Sequence, residues 1–375
     1  MISRRKVMLG TAAALAAPQL MRVASAQDAP YIVGTLFPMA GPNAEYGEIF
    51  MAGATLGVDY VTKSKVLKRP IELRSVDSLS TPQGGAVGMS RLVNVDRADY
   101  VLLAFTGVCK AAAPIGGRAK TIMCNPGSVA PDLSGLSPYF WNMIPLVTKE
   151  LDPLLTWMMS KSLKRVSAIY VDDPFGNGVM TALKPALAKA GGQMISTYPI
   201  TPTEQVFTAL AAKIRAENPD AVYFLSAGAQ QVELVKQLRN NGITQQLVSA
   251  VGVNIPSILN LPEAKGLVFT DQATNWNSTD PLMKTFVENY RAKYNKDPMP
   301  YHLNFFNAIV LFGILASTLE KQGKPVNGDN LREQLLAQRK FALAGGTGEF
   351  DDVCDISLPV AVDEVTGDGK FKQIG

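Results

Sequence analysis

Histidine is almost missing from this chain, with one residue, His302, in 375. Metal sites built on several imidazoles are therefore excluded. One imidazole without a partner motif leaves a single isolated candidate for histidine base catalysis, and its place beside Tyr301 in an apolar stretch reads as structural or rim. Cysteine is scarce too: the three residues Cys109, Cys124 and Cys354 contain no Cys-x-x-Cys pair, which excludes a disulfide-dense scaffold and a zinc ribbon. Cys109 and Cys124 could pair if they end adjacent strands, or remain separate buried thiols; pairing would leave Cys354 alone. There is no Gly-x-x-x-x-Gly-Lys-Ser/Thr phosphate loop, no Gly-x-Ser-x-Gly elbow and no His-Glu-x-x-His motif. The four double glycines do not follow strands in a dinucleotide fingerprint and read as caps and turns. These absences predict a protein with no cofactor, no metal and no catalytic centre.

Charge is modest as well. Charged residues are 18% and hydrophobic residues 47%, a globular balance, and the length suits two α/β domains better than one. The net charge of +4 equals the four positives of the first 26 residues, Arg4, Arg5, Lys6 and Arg22, so the remainder is formally neutral. With no basic run interleaved with aromatics, no nucleic-acid partner is expected.

The N-terminal segment carries a basic start, an apolar stretch from Val7 to Leu20, and Ala24-Ser25-Ala26 before Gln27. That order predicts a signal peptide over residues 1–26, cleaved after Ala26, and hence a periplasmic protein. Arg4-Arg5 resembles a twin-arginine signal, although Val7 stands where that signal usually has Phe; the general secretory route is the alternative. No later stretch is expected to cross a membrane, because such a helix needs about 20 apolar residues.

From Tyr31 onward, short β-rich runs alternate with helical stretches. Residues 32–37, 71–76, 100–105 and 121–124 read as strands, separated by helices over 46–61, 83–95 and 111–120. A second series places strands at 165–171, 193–198, 221–225, 247–251 and 267–270, with helices at 178–190, 207–217 and 230–240. Strands alternating with helices imply parallel sheets with right-handed crossovers, so the predicted fold is α/β with two doubly wound lobes. Gly191-Gly192 and Asn240-Asn241-Gly242 mark helix ends. Residues 139–145 bridge the two series, 280–294 and 301–321 read as further helices, and Gly345-Gly346-Thr347-Gly348 as a flexible break.

Open α/β sheets hold ligands at the carboxyl ends of their strands. Three loops occupy such positions in the first series: residues 38–47, ending in Tyr46-Gly47; Thr106-Gly107-Val108-Cys109-Lys110, running into an alanine-rich helix; and Asn125-Pro126-Gly127-Ser128. A small polar loop entering a helix is a natural anion cradle, since free N–H groups and the positive end of the helix dipole converge there.

The loop Gly41-Pro42-Asn43-Ala44-Glu45-Tyr46-Gly47, with the stretches 83–92, 125–133, 171–176, 220–223 and 301–315 in that order, resembles the branched-chain amino-acid-binding proteins of ATP-driven (ABC) importers. The likeness covers nearly the whole chain after the signal. It implies the type I periplasmic binding fold, with lobes joined by three crossings near 142–145, 270–275 and 345–348. Residues 27–144 plus 275–345 would form one lobe and 145–274 plus 346–375 the other. It further implies a monomer that clamps a small-molecule ligand and presents it to a membrane permease. Thr106, Gly107, Val108, Gly127 and Ser128 match the family's carboxylate and backbone contacts. Tyr46 and Tyr301 match aromatic walls, and Phe175 an aromatic closing from the second lobe.

The departures point to the cargo. Ala250 stands where the family's amino-acid binders carry an acid for the ligand ammonium, and Ala227 where an aromatic or polar contact is expected. A buried ammonium without a carboxylate costs several kcal/mol. The expected ligand is therefore a carboxylate lacking an amino group: a benzoate-, cinnamate- or phenylpyruvate-like acid, or a branched 2-keto acid. An amino acid remains the alternative if Asp172 or Asp173 supplies the charge. A ligand-presenting sensor subunit and an exported enzyme are the other readings.

Overall fold

The computed structural model describes residues 29–250 and 252–375, so the predicted export segment lies outside the described residues. Five parallel strands form the first sheet: β1 (Tyr31–Phe37), β2 (Ile71–Asp77), β3 (Tyr100–Leu103), β4 (Ile122–Asn125) and β5 (Phe140–Asn142), in the order β2-β1-β3-β4-β5. α1 (Ala44–Ser64), α2 (Pro82–Asn94) and α3 (Thr106–Ala119) make the crossovers. All four residues of β3, Tyr-Val-Leu-Leu, are buried, as expected of a strand covered on both faces by helices.

After β5 the chain enters α4 (Val147–Ser160) and builds a second sheet. β6 (Arg165–Val171), β7 (Gln193–Ile200), β8 (Ala221–Leu225), β9 (Gln246–Ser249) and β10 (Val268–Gln272) alternate with α5 (Pro174–Lys189), α6 (Thr208–Glu217), α7 (Gly228–Asn240) and α8 (Pro256–Leu259). Local chemistry sets these boundaries. Asp173 caps α5, accepting from Phe175 N at 2.8 Å and Gly176 N at 2.9 Å, with Pro174 in the first turn. Gly191, at φ +88°, ends the same helix.

The tail forms α9 (Pro281–Tyr294), α10 (Pro300–Lys321) and α11 (Gly328–Gln338), then β11 (Lys340–Leu343), β12 (Gly346–Phe350), β13 (Ile356–Ser357), β14 (Val360–Val365) and β15 (Phe371–Gln373). β14 and β15 join the second sheet antiparallel, giving β15-β14-β10-β9-β8-β6-β7. The third crossing falls later than expected. Gly345 and Gly346, both at positive φ, merely turn β11 into β12. The small sheet β11-β12-β13 stays with the first lobe, where Asn142 N donates to Cys354 O at 3.0 Å, so the passage to the second sheet occurs at 358–359. Cys109, Cys124 and Cys354 are separate buried thiols.

α10 is long and apolar enough to cross a membrane by length and composition, which the sequence reading did not anticipate, but it is a buried core helix. It lies directly on α1. A Cβ at Gly53 would come within 2.4 Å of His302 O, and one at Gly57 within 2.6 Å of Ile309 Cβ, so these two positions let the backbones approach. His302 belongs to this packing. It is buried, takes Met299 N at 3.0 Å on Nδ1, meets the Tyr290 hydroxyl at 3.0 Å through Nε2, and is pushed by burial down to a pKa of about 3.

Candidate functional site

The carboxyl ends of β1, β3 and β4 face those of β6, β8 and β9 across a cleft of about 330 Å³. That volume is at the small end for ligand sites, room for a compact molecule rather than a peptide. The two sides touch around it. The Tyr46 hydroxyl donates to Gly252 O at 2.5 Å, and Ala229 N donates to Pro42 O at 3.1 Å. Outside the cleft, the Glu45 carboxylate accepts from Ser257 N at 3.0 Å and from Ser257 Oγ at 2.6 Å, at the start of α8. The lobes are closed.

One wall is aromatic. Tyr46, on the first turn of α1, meets Phe105 edge-on at 5.7 Å and Tyr301 at 6.1 Å, and Tyr301 in turn meets Phe50 at 5.4 Å. Burial pushes both tyrosine hydroxyls well above their ordinary pKa, so they remain neutral donors. Phe105 was not foreseen as a wall residue. It holds φ +68°, a left-handed conformation uncommon outside glycine, and this tight entry aims the start of α3 into the cleft.

The start of α3 is the anion-ready element. The N–H groups of Thr106, Gly107 and Val108 precede the first intrahelical donor, Cys109 N, which reaches back to Phe105 O at 2.9 Å. Thr106 is 2% exposed, and its Oγ1 has no hydrogen-bond partner among the described residues. A hydroxyl and free amides at the positive end of a helix favour a negative charge.

The neighbouring loop is different from expectation. Asn125 Oδ1 accepts from Gly127 N at 3.2 Å and Ser128 N at 2.8 Å, so those two amides are engaged internally. Gly127 and Ser128 line the cleft, but their backbone is not an open cradle. Gly127 instead lets the loop pack closely on the core, for a Cβ there would sit 3.0 Å from Ala104 and 3.4 Å from Phe50 and Phe305.

From the second lobe come Phe175, Ala227, which precedes α7, and Gly252. The structure thus brings Tyr46, Thr106, Gly107, Gly127, Ser128, Phe175, Ala227 and Tyr301 to one cavity. Val108 and Ala250 are not there. Two residues on from Thr106, Val108 is turned about 200° around the helix, and its fully buried side chain packs with Met89, Val101 and Cys109 in the core on the far side. Ala250 is buried in the main core, and Gly252 occupies the surface assigned to it.

Among the described residues, no Lys, Arg, His or Glu lines the cleft, and Asp173 is the one carboxylate that does. Burial raises its pKa, while Oδ1 is engaged in capping α5. Asp172 is turned aside, accepting from Asn177 Nδ2 at 2.9 Å. Sequence reasoning also missed Ser80, Ser226 and Gln230, neutral residues that carry no motif, and did not single out Asn43 within its loop. No group of three or more His, Cys, Asp or Glu able to hold a metal occurs among the described residues.

The family model described as periplasmic binding protein matches residues 30–355. The chain belongs to this family. It is accordingly a solute-binding transport protein rather than an enzyme. It is similar to Leu/Ile/Val-binding protein homolog 3 of Brucella melitensis, 23% identical over 342 residues that cover 90% of this chain and 91% of the relative. Two solved structures share its fold. One is an ABC-transporter solute-binding protein from R. palustris in complex with benzoate, with TM-score 0.81 and 19% identity over 92% of this chain and 96% of that one. The other is a branched-chain amino acid transporter substrate-binding protein from Streptococcus pneumoniae in complex with isoleucine, with TM-score 0.81 and 18% identity over 92% and 99%. The type I fold of this periplasmic binding protein is therefore shared by binders of quite different cargo.

Proposed function

We propose that this periplasmic binding protein captures a small carboxylate lacking an amino group, an aromatic acid or a 2-keto acid, and delivers it to the membrane subunits of an ABC importer. The observation that carries the reading is the start of α3, where Thr106, whose buried hydroxyl has no partner among the described residues, and the helix's first amides border a cleft that no basic side chain among the described residues lines. The carboxylate would be held by Thr106 and the α3 amides, and the ring or branched chain by Tyr46, Phe105 and Tyr301. The benzoate carried by the R. palustris neighbour supports this choice. The protein would be exported, its signal peptide cleaved after Ala26, and would act as a monomer.

Asp173 favours a second reading. A carboxylate at the cleft could meet an ammonium, and the Brucella relative is named for leucine, isoleucine and valine. Asp173→Asn separates the two, because asparagine caps a helix as well as aspartate does but carries no charge. A thermal-shift panel of benzoate, cinnamate, phenylpyruvate and branched 2-keto acids against leucine, isoleucine and valine is the test. Stabilisation by the acids that persists in Asp173→Asn supports the proposal. Stabilisation by the amino acids alone, abolished in Asp173→Asn, overturns it.

A further inference from the structure

We propose that Ser226 is a specificity-determining residue that selects ligands carrying a hydroxyl at the end remote from the carboxylate. The inference rests on the carboxylate reading above and adds what the other end of the ligand must offer. Its basis is the locked orientation of Gln230, a buried residue in the first turn of α7. Gln230 Nε2 donates to Thr201 O at 2.8 Å and to Glu204 O at 2.9 Å. Flipping the carboxamide would set its oxygen against both carbonyls, so Oε1 points the other way, where it accepts from Ser226 Oγ at 2.7 Å. A serine hydroxyl has one hydrogen. With that hydrogen committed to Gln230, Ser226 Oγ has only lone pairs left for a further partner.

Ser226 is 5% exposed and lines the cavity just beyond β8 in the second lobe, whereas Thr106 lies beyond β3 in the first. A solute whose carboxylate sits on the first lobe therefore brings its far end toward Ser226. A hydroxyl there donates to the waiting oxygen. A bare ring edge leaves its lone pairs desolvated without a donor, and an ether oxygen sets lone pair against lone pair. Neither partner in the Ser226–Gln230 pair is charged, which suits a neutral hydroxyl.

Calorimetric titration of the ligand-free protein with benzoate, 3- and 4-hydroxybenzoate and the two methoxybenzoates tests this. One hydroxybenzoate is expected to bind about tenfold tighter than benzoate, and its methoxy counterpart at least tenfold weaker than the hydroxy acid. In Ser226→Ala the hydroxy acid and benzoate should come within about twofold of each other, and Ser226→Thr, which keeps the hydroxyl, should restore the gap. Equal binding of benzoate and both hydroxybenzoates by the unmodified protein overturns this inference alone, as does discrimination that survives Ser226→Ala. Silence from every benzoate, with binding of leucine, overturns the carboxylate reading and this inference with it.

Discussion

Replacing Thr106 by valine changes one buried hydroxyl for a methyl of the same shape, and the structure separates its effect on folding from its effect on binding. Thr106 Oγ1 has no partner among the described residues and is almost inaccessible, so the ligand-free protein gains nothing from it. Valine is also β-branched, and the helix start is preserved. The ligand-free melting temperature should hold or rise, since an unsatisfied buried hydroxyl costs about 1 kcal/mol or more. The bound state behaves oppositely. A hydrogen bond to a charged group is worth about 1.5–3 kcal/mol, so the acid should bind about 10- to 150-fold more weakly. Differential scanning fluorimetry with and without ligand reads both quantities, because ligand stabilisation follows mass action. A ligand-free Tm that falls would show that the hydroxyl already serves the fold. An unchanged affinity would show that Thr106 lies outside the site.

Three further outcomes follow from the geometry. Glu45→Ala removes both hydrogen bonds to Ser257 without touching the cavity lining, so it should weaken affinity about three- to tenfold by favouring the open state, with the radius of gyration rising in scattering at subsaturating ligand. Gly53→Ala forces a Cβ to 2.4 Å from His302 O and should lower stability by about 2 kcal/mol in urea unfolding. Burial raises the pKa of Asp271 to about 7 and of Asp363 to about 6, so between pH 4 and 7 the folded state holds protons that the unfolded state has released. Stability should therefore fall as pH rises, by about 1.4 kcal/mol per unit for each group until its folded pKa is passed, near pH 6 for Asp363 and near pH 7 for Asp271, and level off above 7. Asp271→Asn should flatten the slope, because Asn254 Oδ1, unpartnered among the described residues, can turn to receive the new amide.

The fold and the first half of the site were largely legible in the sequence because they are local. Alternating strands and helices define the sheets, and the loop after β3 brings Thr106 and Gly107 to the cleft as its position at a strand end implied. Helical phase was harder: Thr106 and Gly107 face the cleft, while Val108, on the same short loop, points to the core. Gly127 and Ser128 looked like free amides because nothing in their spacing shows that Asn125 already takes them. The second lobe was least legible. Apart from Asp173 its polar contacts are neutral, and the direction in which Ser226 donates depends on carbonyls at Thr201 and Glu204, more than twenty residues away in the chain. The late third crossing was hidden for a related reason: a glycine-rich turn reads the same whether it joins lobes or closes a hairpin.

The central claim is that the cleft takes a carboxylate and has no place for an ammonium beside it. Calorimetric titration of the ligand-free protein with phenylpyruvate against phenylalanine, and with 4-methyl-2-oxopentanoate against leucine, isolates that one group within each pair. The account predicts saturable binding of at least one keto acid and no heat from its amino-acid counterpart. Binding of phenylalanine or leucine with both keto acids silent would contradict it.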